Sequence, residues 1–419
     1  MYRRNYLIPI LAAAVSLSGI LSAESTLIKK GRYWVGELHH TFKVQKTGKL
    51  IMDDVNGDVT IETWDRAEVE IHEIKKMDIF TESEAQAAMT STEEGYVQEG
   101  NTIRIGGPGF NRRWIQSHFI ITVPKSFFCD IGTQGGDITV TGLEGDMVFK
   151  TGGGDIILDE MGGNVNGKTG GGDIDISGAS KSVEVATGGG DIDISSSRGR
   201  VSAVSGGGDV SISDTENTVD VRTGGGDVDI CCAGGQTTVQ TGGGEVTIKN
   251  VSAMAKIQTG GGEIDIENVS GPLTAMTGGG EISAKTIQGE TTVRTGGGSV
   301  DLEDVQGPVS VQTGGGSISV EVTLKDFSKD HRIDLDTGGG DIDLAIPASL
   351  PASIHAVIKY RHRQWEEYEI TSDFPLKISS RDGDDSRYKI VEATGDINGG
   401  GDPITLNTHG GDIHIEKID

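Results

Sequence analysis

Apolar and polar residues alternate at period two through most of the chain. In the segment Asp173–Thr187, Ile174 and Ile176 alternate with aspartates, and after a Gly/Ser turn Val183 and Val185 alternate with polar residues. This spacing is typical of short β-strands and not of helices. Two such strands cannot bury an apolar face alone, so they must pack against further copies of themselves.

A short phrase, Thr-Gly-Gly-Gly-Asp-Ile with close variants, recurs every 18 residues from Thr133 to Thr313 without a slip. A fixed period without drift indicates a repeat architecture. We therefore predict an all-β fold, a parallel β-solenoid (a single-chain, right-handed β-helix) with 18-residue coils. The coils should stack roughly 4.8 Å apart, and irregular β caps should close both ends.

The register of this stack assigns a column of inward residues to each strand, and β-branched residues suit such a layered interior. The first-strand column is Ile156, Ile174, Ile192, Val210, Val228, Val246, Ile264 and Ile282. The second-strand column includes Val183, Val201, Val219, Leu273 and Val309. Phe149 stands where the next coil has Gly167, so a large side chain is matched by a missing one.

The repeated corner leads to two further predictions. Its threonine is replaced once, by Ser205, which keeps the hydroxyl group; we expect a ladder of hydroxyls bonded to the corner backbone. The glycines are expected because a tight corner needs φ > 0 and a close approach between layers. A phosphate-binding glycine loop would need a helix after it, and the pattern predicts none there.

The N-terminal residues have the pattern of a secretory signal peptide. Arg3 and Arg4 precede an apolar run at 7–21, and small residues follow as far as Ala23. We predict a signal peptide at residues 1–23, with cleavage after Ala23. The mature chain should have no transmembrane segment and should be exported to the periplasm, the cell surface or the extracellular medium. No cysteine follows the apolar run, which argues against a lipoprotein anchor.

Residues 24–132 are less regular, and we assign them to an N-terminal cap and irregular first coils. The strand pattern around Asn56-Gly57-Asp58 is that of a degenerate first copy of the repeat. Thr81–Glu94 is the one segment with a helical pattern. A solenoid needs such an end, because an open sheet edge invites pairing with another chain.

Residues 133–343 form the regular repeats, and residues 344–419 a C-terminal cap with a hairpin and the last coils. Six additional residues around Lys325–Asp330 should form a loop that leaves the stack. In the cap the repeat phrase returns at Asp396–Asp402 and at Thr408–Ile413.

Charge and cysteine content narrow the range of functions. The formal net charge of −27 argues against a nucleic-acid partner or an anionic membrane surface. Cys129, Cys231 and Cys232 are too few for a disulfide framework. We expect Cys231 and Cys232 to face different ways on a strand and to have no metal-binding or redox role.

An acidic column follows the glycines. It consists of Asp137, Asp155, Asp173, Asp191, Asp209, Asp227, Glu245, Glu263 and Glu281. Like charges at this spacing repel by roughly 1 kcal/mol per neighbouring pair even in water. The carboxylates could accept hydrogen bonds from corner N–H groups, or Ca²⁺ could bind weakly along the column, with Asp173, Asp191, Asp209 and Asp227 as candidate ligands. We favour the first, because Asp173 stands where the calcium-binding Gly-Gly-x-Gly-x-Asp roll has a glycine. No other cofactor is expected.

We expect no enzymatic activity. β-Helix enzymes that act on polysaccharides use carboxylates of neighbouring coils as acid and base, and such a site should differ from the repeat around it. Here the acids belong to the repeat, and the repeat region has only two aromatic residues, Phe149 and Phe327, for stacking on sugars. The histidines, including His39 and His40, are expected at the surface.

The other aromatic residues concentrate near the two ends of the chain. They include Trp34, Trp64, Trp114, Tyr360, Trp365 and Tyr368. We expect them in the cores of the caps; the alternative is that they anchor a partner.

The order of motifs resembles a known family. Asn56–Asp65, Ile121–Pro124, the serial Thr-Gly-Gly-Gly-Asp-Ile and the closing Gly-Gly-Asp-Ile at 410–413 are similar to the bacterial adhesin-like β-strand-repeat domains of unknown function. The resemblance covers nearly all of the predicted mature chain and implies an exported β-solenoid. It implies no ligand and no catalytic residue.

These features predict an exported, acidic, adhesin-like binding protein whose partner is an unidentified macromolecule, such as a cell-envelope component. The main alternative is a structural scaffold of the cell envelope without a specific ligand. A polysaccharide-active enzyme and a calcium-binding β-roll are weaker alternatives.

Overall fold

The computed structural model describes residues 20–107, 109–110, 112–361, 367–383 and 387–419. Most of the predicted signal peptide therefore lies outside the described residues, and the first strand begins at Ile20, within the last four residues of that predicted peptide. Within the described part, no helix is long and apolar enough to span a membrane.

The N-terminal region contains eight strands and one helix among its described residues. They are β1 (Ile20–Lys30), β2 (Tyr33–Lys43), β3 (Lys49–Val55), β4 (Gly57–Trp64), β5 (Glu68–Met77), α1 (Glu82–Glu93), β6 (Tyr96–Glu99), β7 (Thr102–Gly106) and β8 (Ile115–Pro124). The helix predicted at Thr81–Glu94 is confirmed. Thr81 caps it, accepting from the backbone N–H of Glu84, whose carboxylate in turn accepts from the N–H of Thr81.

The regular strands follow in chain order. They are β9 (Phe128–Thr133), β10 (Ile138–Thr141), β11 (Met147–Thr151), β12 (Ile156–Asp159), β13 (Val165–Thr169), β14 (Ile174–Ser177), β15 (Val183–Thr187), β16 (Ile192–Ser197), β17 (Val201–Ser205), β18 (Val210–Thr215), β19 (Val219–Thr223), β20 (Val228–Ala233), β21 (Thr237–Thr241), β22 (Val246–Val251), β23 (Ala255–Thr259), β24 (Ile264–Val269), β25 (Leu273–Thr277), β26 (Ile282–Ile287), β27 (Thr291–Thr295), β28 (Val300–Val305), β29 (Val309–Thr313), β30 (Ile318–Val322), β31 (Ile333–Thr337) and β32 (Ile342–Pro347). The C-terminal strands are β33 (Ala352–Arg361), β34 (Ile370–Ser372), β35 (Lys377–Asp382), β36 (Tyr388–Ile397), β37 (Asp402–Thr408) and β38 (Ile413–Ile418).

The regular strands form two long parallel sheets that face each other across one core. The even-numbered strands β10 to β32 make sheet A, and the odd-numbered strands β9 to β31 make sheet B. Each strand pairs with its copy one coil later, so that Ile174 lies beside Ile192 and Val183 beside Val201. The predicted parallel β-solenoid is confirmed. The added loop near Asp326 leaves the register intact, because Thr313 still pairs with Thr337.

Both predicted inward columns are buried along their whole length. Burying each isoleucine or valine contributes roughly 1.5–3 kcal/mol, and the coils share this apolar core from one cap to the other. The predicted volume exchange is confirmed: Phe149 pairs with Gly167, where an added Cβ would lie 2.5 Å from the phenylalanine ring.

The hydroxyl ladder at the corners is also confirmed. The Thr187 hydroxyl donates to the Gly172 carbonyl of the preceding coil at 2.8 Å and accepts from the Gly190 N–H at 3.1 Å. Ser205 makes the same two bonds, each at 2.9 Å, so the lost methyl group leaves the ladder unchanged. Each hydroxyl therefore joins two layers and satisfies backbone groups that the corner would otherwise bury unpaired.

Of the two reasons predicted for the corner glycines, positive φ is wrong and the close approach between layers is confirmed. In the described part, the glycines of the Thr-Gly-Gly-Gly corners lie outside the left-handed region of φ. What they provide is close stacking: an added Cβ would lie 2.1 Å from the Gly170 carbonyl oxygen at Gly188, and 2.2 Å from that of Gly172 at Gly190. At the middle glycine, Gly189, an added Cβ would meet no described atom within 4 Å.

Left-handed backbone occurs instead at the second corner, in the last residues of the sheet A strand or directly after it. The same position has positive φ in successive coils, in Gly142, Glu160, Gly178, Ser196, Asp214, Cys232, Asn250, Asn268, Thr286 and Asp304. Glycine, asparagine and aspartate tolerate this conformation better than other residues do. Because Cys232 has a φ of +64°, its sulfur lies 2.8 Å from that of Cys231, so the prediction that the two side chains face different ways is wrong.

Coil order departs from chain order at the N-terminal end. Val59 of β4 pairs in parallel with Phe119 of β8 on one side and with Ile138 of β10 on the other. Strand β3 lies in the same way between β7 and β9. The degenerate first repeat at Asn56-Gly57-Asp58 is therefore a true coil. It lies between two coils that both come later in the chain, one with β7 and β8 and the other with β9 and β10. Antiparallel strands β5, β2 and β1 extend sheet A beyond it.

The C-terminal end repeats this arrangement. Ile413 of β38 pairs with both Ile342 of β32 and Ile370 of β34, and β37 lies between β31 and β33. The phrase at Thr408–Ile413 thus forms a coil corner, as predicted, although in the penultimate position of the stack. The phrase at Asp396–Asp402 forms no coil: it is the turn from β36, which is antiparallel to β33, into β37.

Candidate functional site

The acidic column forms a ladder along the outside of the corners. The Asp173 carboxylate accepts from the Asp191 backbone N–H at 2.8 Å, and that of Asp191 accepts from the Asp209 N–H at 2.8 Å. The same bond continues to Asp227 and the N–H of Glu245. Each aspartate thus bonds to the layer above it, which offsets part of the repulsion between like charges.

The ladder does not gather its carboxylates into a cage. Asp173, Asp191, Asp209 and Asp227 are exposed and stand one per layer. Within the described part of the chain, the column does not bring three ligand atoms within 4.8 Å of one another. The arrangement therefore favours backbone-bonded acids over the alternative of a dedicated calcium site.

A shallow groove on the N-terminal cap combines exposed aromatic rings with cations. This cap groove, of about 390 Å³, is lined by Tyr33, Lys76, Asp78, Arg113, Trp114 and Gln116. Trp114 is 52% exposed, and Phe80, at the edge of an adjoining hollow that Trp114 also lines, is 94% exposed. Trp114 and Phe80 thus expose two large aromatic side chains around one hollow, and aromatic residues are enriched at the centres of protein contact surfaces.

The groove is held in place by the backbone and is surrounded by positive charge. The Asp78 N–H donates to the Trp114 carbonyl at 2.9 Å, which ties the end of β5 to the residue before β8. The Lys76 ammonium and the Arg32 guanidinium lie 4.3 and 4.6 Å from the Tyr33 ring centre. Arg32 also forms a 3.0 Å ion pair with Asp78.

The other terminal aromatics behave largely as cap core. Trp34 and Tyr360 are buried, Tyr368 packs edge-on against Tyr360, and the half-buried Trp64 donates its indole N–H to the Glu68 carbonyl. Trp365 lies outside the described residues. Trp114 is thus the described tryptophan with the greatest exposure, and the alternative interpretation as an anchor applies to it.

A charged cluster lies inside the N-terminal cap, and the sequence reasoning missed it. Glu73 and Lys75 are fully buried and 3.1 Å apart. Glu73 accepts from the Tyr96 hydroxyl at 2.7 Å, and Lys75 donates to the Thr92 hydroxyl at 2.6 Å. Burial lowers the pKa of Lys75 while Glu73 opposes that shift, and burial followed by Glu73 raises the pKa of Tyr96. Since Glu73 and Lys75 are sealed from solvent, the cluster belongs to the core of the cap and offers no accessible active site.

The prediction that the histidines lie at the surface is wrong for two of them, His40 and His331, since His331 is only 5% exposed. His39 is exposed as expected, but His40 is 3% exposed and lies 4.1 Å from the Tyr96 ring, centre to centre. Both His40 ring nitrogens lack a hydrogen-bond partner among the described residues. Burial, with a smaller effect of His39, lowers the pKa of His40 to about 4. The alternation of β2 could have shown this, since His40 shares its inward phase with Leu38 and Phe42.

Comparison with known proteins identifies a domain family but no relative of known activity. Neither a curated protein nor a solved structure matches the chain. The family model that matches describes a domain of unknown function with a repeat β fold, in agreement with the stacked coils seen here. The match extends from just before β3 to the first residue of β21, so it includes the inserted N-terminal coil and the first half of the regular stack. Residues 47–237 of this chain are thus a match to the Toastrack domain, DUF4097.

Proposed function

We propose that the protein is an exported, non-catalytic binding protein whose N-terminal cap holds an anionic macromolecule of the cell envelope, namely an acidic polysaccharide. The observation that carries this proposal is the cap groove, in which Trp114 is half exposed beside Tyr33 and a set of cations. Aromatic faces provide contact area with little loss of side-chain entropy, and cations select an acidic partner.

The charge of the rest of the molecule supports binding at this end. The chain has a formal net charge of −27. The flanks, meaning the sides of the regular coils, carry the acid ladder, which is the column of hydrogen-bonded aspartates along the corners. An anionic partner is repelled by such a flank and attracted by a local group of cations. Arg32, Lys76 and Arg113 provide that group around the groove, with Asp78 as the opposing charge. In this proposal the solenoid acts as a spacer that presents the cap.

The experiment is a glycan array together with a pull-down from cell-envelope extract, performed with the wild type and with Trp114→Ala and Arg113→Glu. Ile378→Ser is the matched control, because Ile378 is 50% exposed on the cap at the other end of the stack. We expect binding to acidic glycans that weakens with salt, is lost in both cap variants and is retained in the control.

A structural scaffold is the second candidate, and the regularity of the flanks favours it. The large apolar side chains exposed on the regular coils are isolated ones, Val148, Ile157 and Val204, rather than a continuous patch. If the wild type captures no glycan and no envelope component, or if Trp114→Ala binds as the wild type does, the binding proposal fails and the scaffold is favoured.

A further inference from the structure

Two histidines and a glutamate meet on the outer face of the N-terminal cap. Strands β2 and β5 are antiparallel, and His39 lies directly opposite His72. The two imidazole rings stack with centres 4.0 Å apart and planes 17° apart. Glu37 stands two residues before His39 on β2, so its side chain emerges on the same face. Its carboxylate oxygen lies 3.7 Å from His72 Nε2.

These three side chains have the spacing of a metal site. One ligand atom from each of Glu37, His39 and His72 lies within 4.8 Å of the other two, and within the described part of the chain they are the one group with this property. Ligand atoms around a tetrahedral ion at about 2.0–2.1 Å are roughly 3.3–3.5 Å apart. Small rotations of exposed or half-buried side chains on two fixed strands would bring the three atoms to that distance.

A second observation comes from the unused hydrogen-bonding capacity of His72. Its Nε2 atom is shielded from solvent and has no hydrogen-bond partner among the described residues, although it points toward Glu37. A shielded nitrogen without a hydrogen-bond partner is unfavourable, and the 3.7 Å distance to the Glu37 carboxylate is too long for a hydrogen bond. A bound cation between His72 and Glu37 would remove this penalty.

We propose that Glu37, His39 and His72 bind a divalent transition-metal ion, with Zn²⁺ as the best match. Two imidazoles and one carboxylate suit zinc and its neighbours in the first transition row, whereas Ca²⁺ and Mg²⁺ prefer oxygen ligands throughout. Because His39 is exposed, the fourth coordination position opens to solvent. His118, on β8 across Ile74, and Asp58, 4.0 Å from it, flank the site.

The test is isothermal titration calorimetry of purified, tag-free protein with ZnCl₂, with MgCl₂ titrated in parallel. We expect one saturable zinc site that EDTA reverses and no saturable magnesium binding. His72→Gln and Glu37→Gln should each weaken zinc binding at least about tenfold, since each removes one of three ligands. A bound Co²⁺ ion should give d–d absorption in the wild type that both variants lose.

Two controls exclude other sources of zinc binding. His355→Gln removes a histidine that also faces a carboxylate across antiparallel strands, 3.0 Å from Glu392, but lacks a third ligand. Cys231→Ser tests the adjacent thiols. Both should bind zinc as the wild type does. The proposal is overturned if the wild type shows no saturable zinc binding, if both ligand variants keep full affinity while folded by circular dichroism, or if Cys231→Ser abolishes the site. The inference does not depend on the proposed function of the cap groove.

Discussion

The corner glycines allow a sharp test, because the middle glycine of a triplet should respond differently from its two neighbours to the same substitution. In the triplet at 224–226, an added Cβ at Gly224 would lie 2.1 Å from the Gly206 carbonyl oxygen. At Gly225 it would meet no described atom within 4 Å. Gly224→Ala and Gly225→Ala thus add the same methyl group one residue apart, one between the layers and one in solvent.

The magnitude follows from the distance. Ordinary contacts of a Cβ begin near 3.4 Å, so Gly224→Ala must separate two layers locally by roughly 1 Å. The N–H of Gly224 donates to the Ser205 carbonyl at 3.2 Å, and the N–H of Gly242 to the Thr223 carbonyl at 3.2 Å. Both bonds are already at the long end of the range for N–H···O hydrogen bonds, so a separation of roughly 1 Å would break them. Losing one or two of them at about 1 kcal/mol each, with overpacking of about 1–3 kcal/mol, gives a destabilisation of about 2–4 kcal/mol.

Gly225→Ala should have the opposite sign. Its backbone lies outside the left-handed region, and the alanine restricts the unfolded chain, which stabilises by about 0.4–1 kcal/mol. The assay is urea unfolding followed by circular dichroism, with hydrogen exchange of peptides covering residues 205–241 to detect local opening. If both variants lose stability equally, the requirement is conformational and not steric. If Gly224→Ala is tolerated, the close stacking inferred at the corner is wrong.

Four further predictions concern single sites. Cys232→Asn should raise the urea midpoint and increase the unfolding free energy by about 0.5–1 kcal/mol. Asparagine tolerates positive φ, and its side-chain oxygen would accept a hydrogen bond from the Asn250 amide, which now lies 3.9 Å from a sulfur. A lower midpoint would contradict this prediction. Folded His40 stays neutral down to about pH 4 whereas the unfolded residue binds a proton below its ordinary value of 6.5, so stability falls as pH drops through this window. His40→Phe should remove about 2 kcal/mol of the loss measured by urea unfolding between pH 7 and pH 5, and an unchanged loss would refute the assignment. Lys75→Met leaves the Glu73 carboxylate buried without its counter-ion and should lower the unfolding free energy by about 3–5 kcal/mol, most of which Glu73→Gln should restore in the double variant. Because the aspartates of the acid ladder are already bonded to backbone N–H groups, titration with CaCl₂ at physiological salt should give no saturable heat and no rise in melting temperature, and a saturable signal would revive the calcium interpretation.

The regular part of the fold could be predicted because each coil repeats the same small set of interactions. The alternation at Ile174 and Ile176, repeated at a fixed interval, determines which residues form a strand, which face is buried and how neighbouring strands pair. The Phe149–Gly167 exchange checks that pairing independently. The left-handed column was also visible in principle, since Asn250 and Asn268 occupy it. It was missed because Cys232 and Thr286, which disfavour that conformation, stand in the same column.

The caps were harder to predict because tertiary packing there overrides local pattern. Glu73 and Lys75 continue the inward phase set by Val69 and Ile71, but a charged residue at an inward position is recognised as buried only when its partners are known. The meeting of His39 with His72 depends on which strands of the cap are neighbours. Local sequence does not specify that arrangement, because the coil order at each end differs from the chain order.

The exchanged order of coils at both ends has a consequence for how such a protein can change in length. The first coil along the chain and the last one are each covered by another coil, so β4 and β38 pair on both sides and each end is an assembly of interleaved coils. Duplication of a unit in the middle would add roughly 4.8 Å to the rod without altering either assembly. The length of the solenoid and the surface of its caps can therefore evolve separately. A longer or shorter related protein can keep the same N-terminal cap.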